Sequence, residues 1–386
     1  MPWNETKLAD QKKQFIDAIE ANEGDSFLSI CARFSISRET GYQLLRRHDE
    51  GGAEAFELRS RRPIHSPQAI TGPIERQILQ ARGEHPTWGA RKLGALLQRR
   101  FPRTSWPVAS SIGDLLRRHG LTHPRASRGH VAPFTQPLGH SLAPNDLWCV
   151  DFKGWFRTAD GARCNPLTMT DATTRMLLRC NHVAKGALTD VKPIFEAAFR
   201  EYGMPLAIRS DNGPPFASNG VAGLSRLALW WIRLGIWPER IEPGCPEQNG
   251  RHERMHRTLQ AEVAADPSPN IRLQQRAFDR FKLEYNTVRP HEALGQRPPA
   301  DFYSASGRPF PRVLPQIAYP AEALVRNVRP NGDIKHRGRT HFLGEALVGE
   351  RVALWEIDGG WDVYFGLIRL ARFDARTERL IRNPSR

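Results

Sequence analysis

The chain has 386 residues, too many for one ordinary core, and its 56 Lys and Arg against 41 Asp and Glu leave a formal net charge of +15 that favours a polyanionic partner, DNA first. Hydrophobic residues at 40% and charged residues at 25% suit a soluble globular protein; no apolar run approaches a membrane span, and the polar N-terminus carries no signal-peptide core. Five scattered cysteines (Cys31, Cys149, Cys164, Cys180 and Cys245) include no Cys-x-x-Cys pair, which argues against a disulfide framework or structural zinc and for a reducing cytoplasm.

Residues 1–58 read as a helix-turn-helix module of three short helices. Phe15, Ile16 and Ile19 mark the first helix, and Phe27, Ile30, Cys31 and Phe34 the second. Ser37 is placed to cap the third, which runs to about His48. Arg38, Thr40, Gln43, Arg46 and Arg47 then form a polar face for a major groove, with Tyr42 and Leu45 packed inward. The competing reading is a small bundle with a charged exterior. A second such module is expected over 59–122. It has helices from Pro73 to Ala81, from Trp88 to Leu97, and from Ala109 or Ser110 to His119, closed by Gly120. Clustered arginines (Arg99, Arg100 and Arg103; Arg117 and Arg118) support DNA as the partner of both modules. The arm Arg59, Arg61 and Arg62 is either a minor-groove contact or a solvated linker. Two linked readers grip an extended site more tightly than either alone.

Residues 123–144, rich in Pro, His, Ser and Gly, read as a linker. From 145 to 305 the order is β-β-β-α-β-α-β-α, which suits an RNase H-like α/β core. The strands are one through Asp151, Asn165–Thr170, Met176–Val183, Leu206–Ser210 and Arg240–Glu242. Thr189 is expected to cap the first core helix, Trp230 and Trp231 to pack inside, and a helix to start near Gln248. Residues 320–386 read as a small SH3-like β-barrel. Its basic edge, Arg326, Arg329, Lys335, Arg337 and Arg339, fits a further DNA contact or a dimerisation module.

Three acids stand out by context. Asp151 interrupts the apolar run Leu147-Trp-Cys-Val, and Asp211 ends Ala207-Ile-Arg-Ser before an Asn-Gly turn. Glu253 lies inside the helix after Gln248-Asn-Gly, sharing a face with His256 and Arg257, while Glu247 sits in the loop before it as the alternative third acid. Two strand-end acids and one helical acid suit two Mg²⁺ ions and in-line phosphoryl transfer. Asp171, in Thr168-Met-Thr-Asp-Ala-Thr-Thr, reads as a structural acid bonded to nearby amides.

Asp151, then Asp211-Asn-Gly, then Gln248-Asn-Gly-Arg-His-Glu253, followed by Tyr285-Asn-Thr-Val-Arg-Pro-His291, resembles the Asp-Asp-Glu transposases of bacterial insertion sequences, whose core is similar to retroviral integrase. The resemblance covers about residues 145 to 302; the 42 positions from Asp211 to Glu253 exceed the family's common spacing. It implies Asp151, Asp211 and Glu253 as catalytic metal ligands for Mg²⁺ or Mn²⁺, two ions in all. It implies a polynucleotidyl transferase that cuts at transposon ends and joins the 3′-OH to target DNA. The implied partners are double-stranded DNA and further copies of the chain, in a bacterial cytoplasm on the nucleoid and away from membrane. Arg257, one turn past Glu253, is expected to hold a phosphate. The competing readings are a DNA-binding regulator without catalysis and a metal-dependent nuclease for RNA or hybrids.

Overall fold

The computed structural model describes residues 8–21, 24–56, 69–122, 141–218, 220–242, 250–377 and 379–382. The chain divides into two compact units, Met1–Ala69 and Ile70–Arg386.

In the first unit, α1 (Leu8–Glu20), α2 (Phe27–Arg33) and α3 (Arg38–Gly51) close around Phe15, Ile16, Ile30, Cys31 and Leu44. Ser26 and Ser37 cap α2 and α3 by accepting from the amides of Ser29 and Thr40. Each cap satisfies one amide that a helix start leaves without a partner. Gly41 is where α3 presses closest on the unit: a β-carbon there would sit 2.8 Å from Cys31 Sγ. Tyr42, expected inside, is half exposed and stacks on Phe27 at 4.3 Å, while Leu44 takes the interior position.

The second unit begins with α4 (Gly72–Glu84), α5 (Ala90–Arg100) and α6 (Ala109–Arg118), packed on Ile78, Leu93, Leu96, Leu97, Ile112, Leu115 and Leu116. The central sheet follows. Its strands are β1 (Leu147–Phe152), β4 (Pro166–Asp171) and β5 (Leu177–His182), then β6 (Ala207–Ser210) and β7 (Trp237–Arg240), in spatial order β5-β4-β1-β6-β7. A short ribbon, β2 (Phe156–Arg157) with β3 (Arg163–Cys164), leads from β1 to β4. β1 pairs antiparallel with β4 and parallel with β6. The first core helix, α7 (Leu188–Tyr202), is preceded by Ala187, not Thr189, and has no side-chain cap. It shares an apolar cluster with α8 (Arg226–Arg233) on one face of the sheet, where Trp231 is fully buried and Trp230 nearly so. Across the other face lie α9 (Gly250–Leu259) and α10 (Ile271–Thr287), joined by a π turn at Gln260–Ala264 and sealed by Met255, Leu259, Phe278, Phe281 and Tyr285.

The expected strand Arg240–Glu242 is displaced, because the pairing with β6 sets Trp237 opposite Ala207 and ends at Arg240. The last element is an antiparallel sheet of β8 (Leu324–Asn327), β11 (Arg351–Ile357), β12 (Gly360–Phe365), β13 (Ile368–Asp374) and β14 (Leu380–Arg382). The hairpin β9 (Asp333–His336) and β10 (Arg339–Phe342) stands beside it. Val352, Leu354, Val363 and Phe365 of that sheet belong to the same apolar cluster as α7 and α8, so the two sheets share one core.

Candidate active site

The parallel register of β1 and β6 places the acids. Leu147 pairs with Ala207, Trp148 with Ile208 and Cys149 with Arg209. Carried two residues on, that register sets Asp151 level with Asp211, on strands about 4.8 Å apart. Both acids therefore stand at the carboxyl ends of neighbouring parallel strands. Side chains alternate along a strand, so Asp151 shares a face with Cys149 and with its cross-strand partner Thr168. That is the face covered by α9.

Thr168 joins the helix to the sheet. Its hydroxyl donates to the carbonyl of Asp151 at 3.0 Å and meets Nε2 of His252 at 2.7 Å and Nε2 of His256 at 2.8 Å. One hydroxyl has one hydrogen, so once it is given to the carbonyl both imidazoles must donate from Nε2. Thr170 then donates to Nδ1 of His252 at 2.9 Å. Burial pushes both imidazoles down, His252 well below its ordinary value with help from His256, and His256 to about 4 with help from Lys153. Neutral His256 thus faces Asp151, with Nδ1 4.0 Å from Oδ2.

Asp211 is raised above the usual carboxylate range by burial, partly offset by the amide of Gly213. Its Oδ1 is buried without a hydrogen-bond partner. A buried carboxylate oxygen with nothing to accept from is costly, and a cation relieves that cost. Asn212 ties the adjoining loop to the exit of β7 by donating to the carbonyl of Ile241 at 2.9 Å.

Glu253 and Arg257 are exposed on α9, whereas His256, expected to share their face, is buried with His252, Met255 and Leu259. At 100° per residue, Glu253 lies about 60° round the helix from His256 and Arg257 about 40° further. Among the described residues no three Asp, Glu, His or Cys side chains gather closely enough to hold a metal ion. The alternative acid Glu247 and the start of the motif, Gln248-Asn249, lie outside the described residues. Asp171 is structural, as expected: it accepts from the amides of Asn145 at 2.8 Å and Thr174 at 2.7 Å.

Of the expected DNA contacts, Arg38, Thr40, Gln43 and Arg46 are exposed along α3 and Arg47 is half-buried. Arg117 and Arg118 are exposed on α6, with Arg117 bonded to Asp114 at 2.9 Å. Arg59, Arg61 and Arg62 lie outside the described residues. Arg99 and Arg100 do not present free charge to a partner: Arg99 is paired with Asp301 and Arg100 with Glu84. The His252–Thr168–His256 network was missed in the sequence, although two histidines four apart on a helix give it a visible signal.

Residues 141–246 and 234–299 each match a family model described as an integrase core domain. Residues 323–380 match the C-terminal domain of the IS481 family transposases, and residues 40–116 a homeodomain-like domain. The 39.2 kDa protein of insertion element IS476 from Xanthomonas euvesicatoria is 29% identical over 245 residues, covering 61% of this chain and 66% of that one. The transposase InsD of insertion element IS2 from Escherichia coli is 26% identical over 295 residues, covering 72% and 90%. Among solved structures, the HTLV-2 integrase catalytic core domain in complex with magnesium is 18% identical, with a TM-score of 0.34, over 42% of this chain and 98% of that one. A simian T-cell lymphotropic virus intasome is 16% identical, with a TM-score of 0.36, over 76% and 97%. Transposase relatives along most of its length, and integrase-core matches across the sheet that carries Asp151 and Asp211, support an insertion-sequence transposase with an integrase-like core.

Proposed function

We propose that this transposase cuts at the ends of its element and joins the freed 3′-OH to target DNA by in-line phosphoryl transfer, with Asp151, Asp211 and Glu253 as its catalytic acids. The observation that carries the reading is the register of β1 with β6, which carried two residues past its last pair brings Asp151 level with Asp211, together with the orphaned oxygen on Asp211. That donor set suits a divalent cation with a preference for oxygen, Mg²⁺ or Mn²⁺, in one or two copies. When bound, such ions activate the attacking oxygen and stabilise the leaving one. The protein's own part is positional. Thr168 holds the backbone of Asp151 from behind, the Asn212 tether fixes the loop of Asp211, and α9 carries Glu253 and Arg257 on its exposed side. Arg257 is suited to seating a DNA phosphate through two parallel hydrogen bonds. The exposed side chains of α3 and α6 are the proposed groove readers for double-stranded element ends. The C-terminal sheet acts as an SH3-like module, and several copies assemble on the DNA in the cytoplasm.

The test is joining of a labelled element end in Mg²⁺. Asp151→Asn, Asp211→Asn and Glu253→Gln should each lower joining by at least about a thousandfold, a loss of roughly 4 kcal/mol of transition-state stabilisation, and leave end binding intact. Near-normal joining by the Glu253 variant would move the third acid to Glu247. Near-normal joining by either Asp variant would remove that acid from the catalytic set, and a wild type that binds the end but joins nothing would leave a DNA-binding regulator as the reading.

A further inference from the structure

Glu262, on the π turn that follows the helix of Glu253, is used far from the acids. One of its carboxylate oxygens accepts from the hydroxyl of Thr87 at 2.6 Å, from the indole of Trp88 at 3.3 Å, and from Arg289. Trp88 is buried, stacked on His85 at 3.9 Å and with the guanidinium of Arg289 5.5 Å from its ring centre. Further along α5, Arg99 grips Asp301 with both terminal nitrogens, at 2.7 and 3.0 Å. Between these points the ammonium of Lys92 donates to the carbonyl of Pro290 at 2.7 Å, and burial with the neighbouring Arg289 brings it down to about 8. A basic helix face that would ordinarily meet DNA is turned onto the core. The face of α6 that carries Arg117 and Arg118 is left outward.

We infer that the second helical module is clamped to the catalytic core through Glu262 and Asp301, so that the protein fixes the length of DNA between the stretch α6 contacts and the phosphate that is cut. Spacing then becomes a determinant of which DNA ends are processed, independent of base sequence at either site. The inference rests on the proposed function for its DNA consequence, and on the clamp alone for its structural one. A clamp of several charged and buried contacts resists bending where a flexible tether would absorb added base pairs. An insertion of 5 base pairs turns the two sites about half a helical turn apart.

The experiment uses the full chain in a Cys245→Ser background. Spin labels at Ser110→Cys on α6 and Thr189→Cys on α7 report the distance between module and core in the free protein. The wild-type clamp predicts one narrow distance distribution. Asp301→Arg should broaden it, and Arg99→Asp combined with Asp301→Arg should narrow it again. If the reversed pair folds poorly, Glu262→Gln serves as the second loosening variant. In parallel, element-end DNA with and without 5 added base pairs is offered for cutting. The clamped protein should cut the lengthened DNA at least tenfold more slowly. The Asp301→Arg protein should discriminate less than threefold. A broad wild-type distribution, or equal cutting of both DNAs by the wild type, overturns the inference. A protein that keeps a narrow distribution and cuts neither DNA overturns the proposed function and the spacing rule together, and leaves the clamp standing.

Discussion

Asp211 shows how a proposed catalytic acid stands apart from a structural one at the scale of a single side chain. Asp171 spends both oxygens on amides of its own turn and its neighbours, so it serves the fold. Asp211 keeps one oxygen buried and empty-handed, and its folded-state pKa is raised. An acid whose folded pKa lies above its unfolded value binds its proton more tightly when folded, so stability falls as pH rises through that folded pKa. Asp211→Asn removes this loss, and its melting temperature at neutral pH should rise, not fall, even as joining disappears. Mg²⁺ should raise the melting temperature of the wild type and leave that of Asp211→Asn unmoved; scanning calorimetry with and without the ion reads both effects. Thr168→Val makes the opposite case. It strips the shared acceptor from two buried imidazoles at about 1–3 kcal/mol each, so a loss of roughly 2–6 kcal/mol in denaturant unfolding is expected. Asp151 and Asp211 stand out in the sequence because a charge at the end of an apolar strand is a local anomaly, and Glu253 by its place in the helix after Gln248-Asn-Gly. The side of α9 on which His256 falls was not, since apolar spacing alone does not say that two histidines will be paired by threonines across a sheet.

At the scale of elements, the inner strands of the central sheet fell near their expected bounds, β6 included, and the edge strand β7 was displaced. β4 and β5 fell near their expected bounds because a short turn joins them. β7 was placed a few residues late because it contains Pro238, which discourages a strand reading; yet it lies at the sheet edge, where a missing amide costs no ladder bond. Thr189 is a good cap by type, but α7 starts two residues earlier, after Ala187 and with no side-chain cap. Gly360 marks the tightest joint among the elements. A β-carbon there would lie 1.8 Å from the carbonyl oxygen of Phe373, inside the pairing of β12 with β13. Gly360→Ala should therefore split that strand pair and cost several kcal/mol, about 3 or more. Loss of soluble protein, or a large drop in unfolding midpoint, is the expected result; an unchanged midpoint would show that the backbone there shifts freely.

Across the whole molecule, several histidines are kept neutral by burial. His256 is brought down to about 4 and His291 to about 3, with His252 also lowered. A group whose folded pKa is depressed binds fewer protons folded than unfolded between the two values, so stability is lost as pH falls through the window from about 6.5 to 3. Unfolding midpoints should thus decline steadily below pH 6.5, and replacing His291 with Gln should flatten the lower part of that decline. The class of each segment could be read in advance from its periodicity. Which faces meet could not, because periodicity marks an apolar face without naming its partner. The shared core of the two sheets is the clearest instance: Gly366 approaches Ile232 of α8, and Arg233 pairs with Glu350. That joint has a consequence for synthesis. Translation delivers the acids, α7 and α8 well before the strands that cover them, so the nascent chain carries an open apolar face until its final stretch emerges. A copy of the gene interrupted by a stop codon near residue 322 should yield a product that aggregates or is degraded, and not a shortened transposase that lingers to compete for the element's ends.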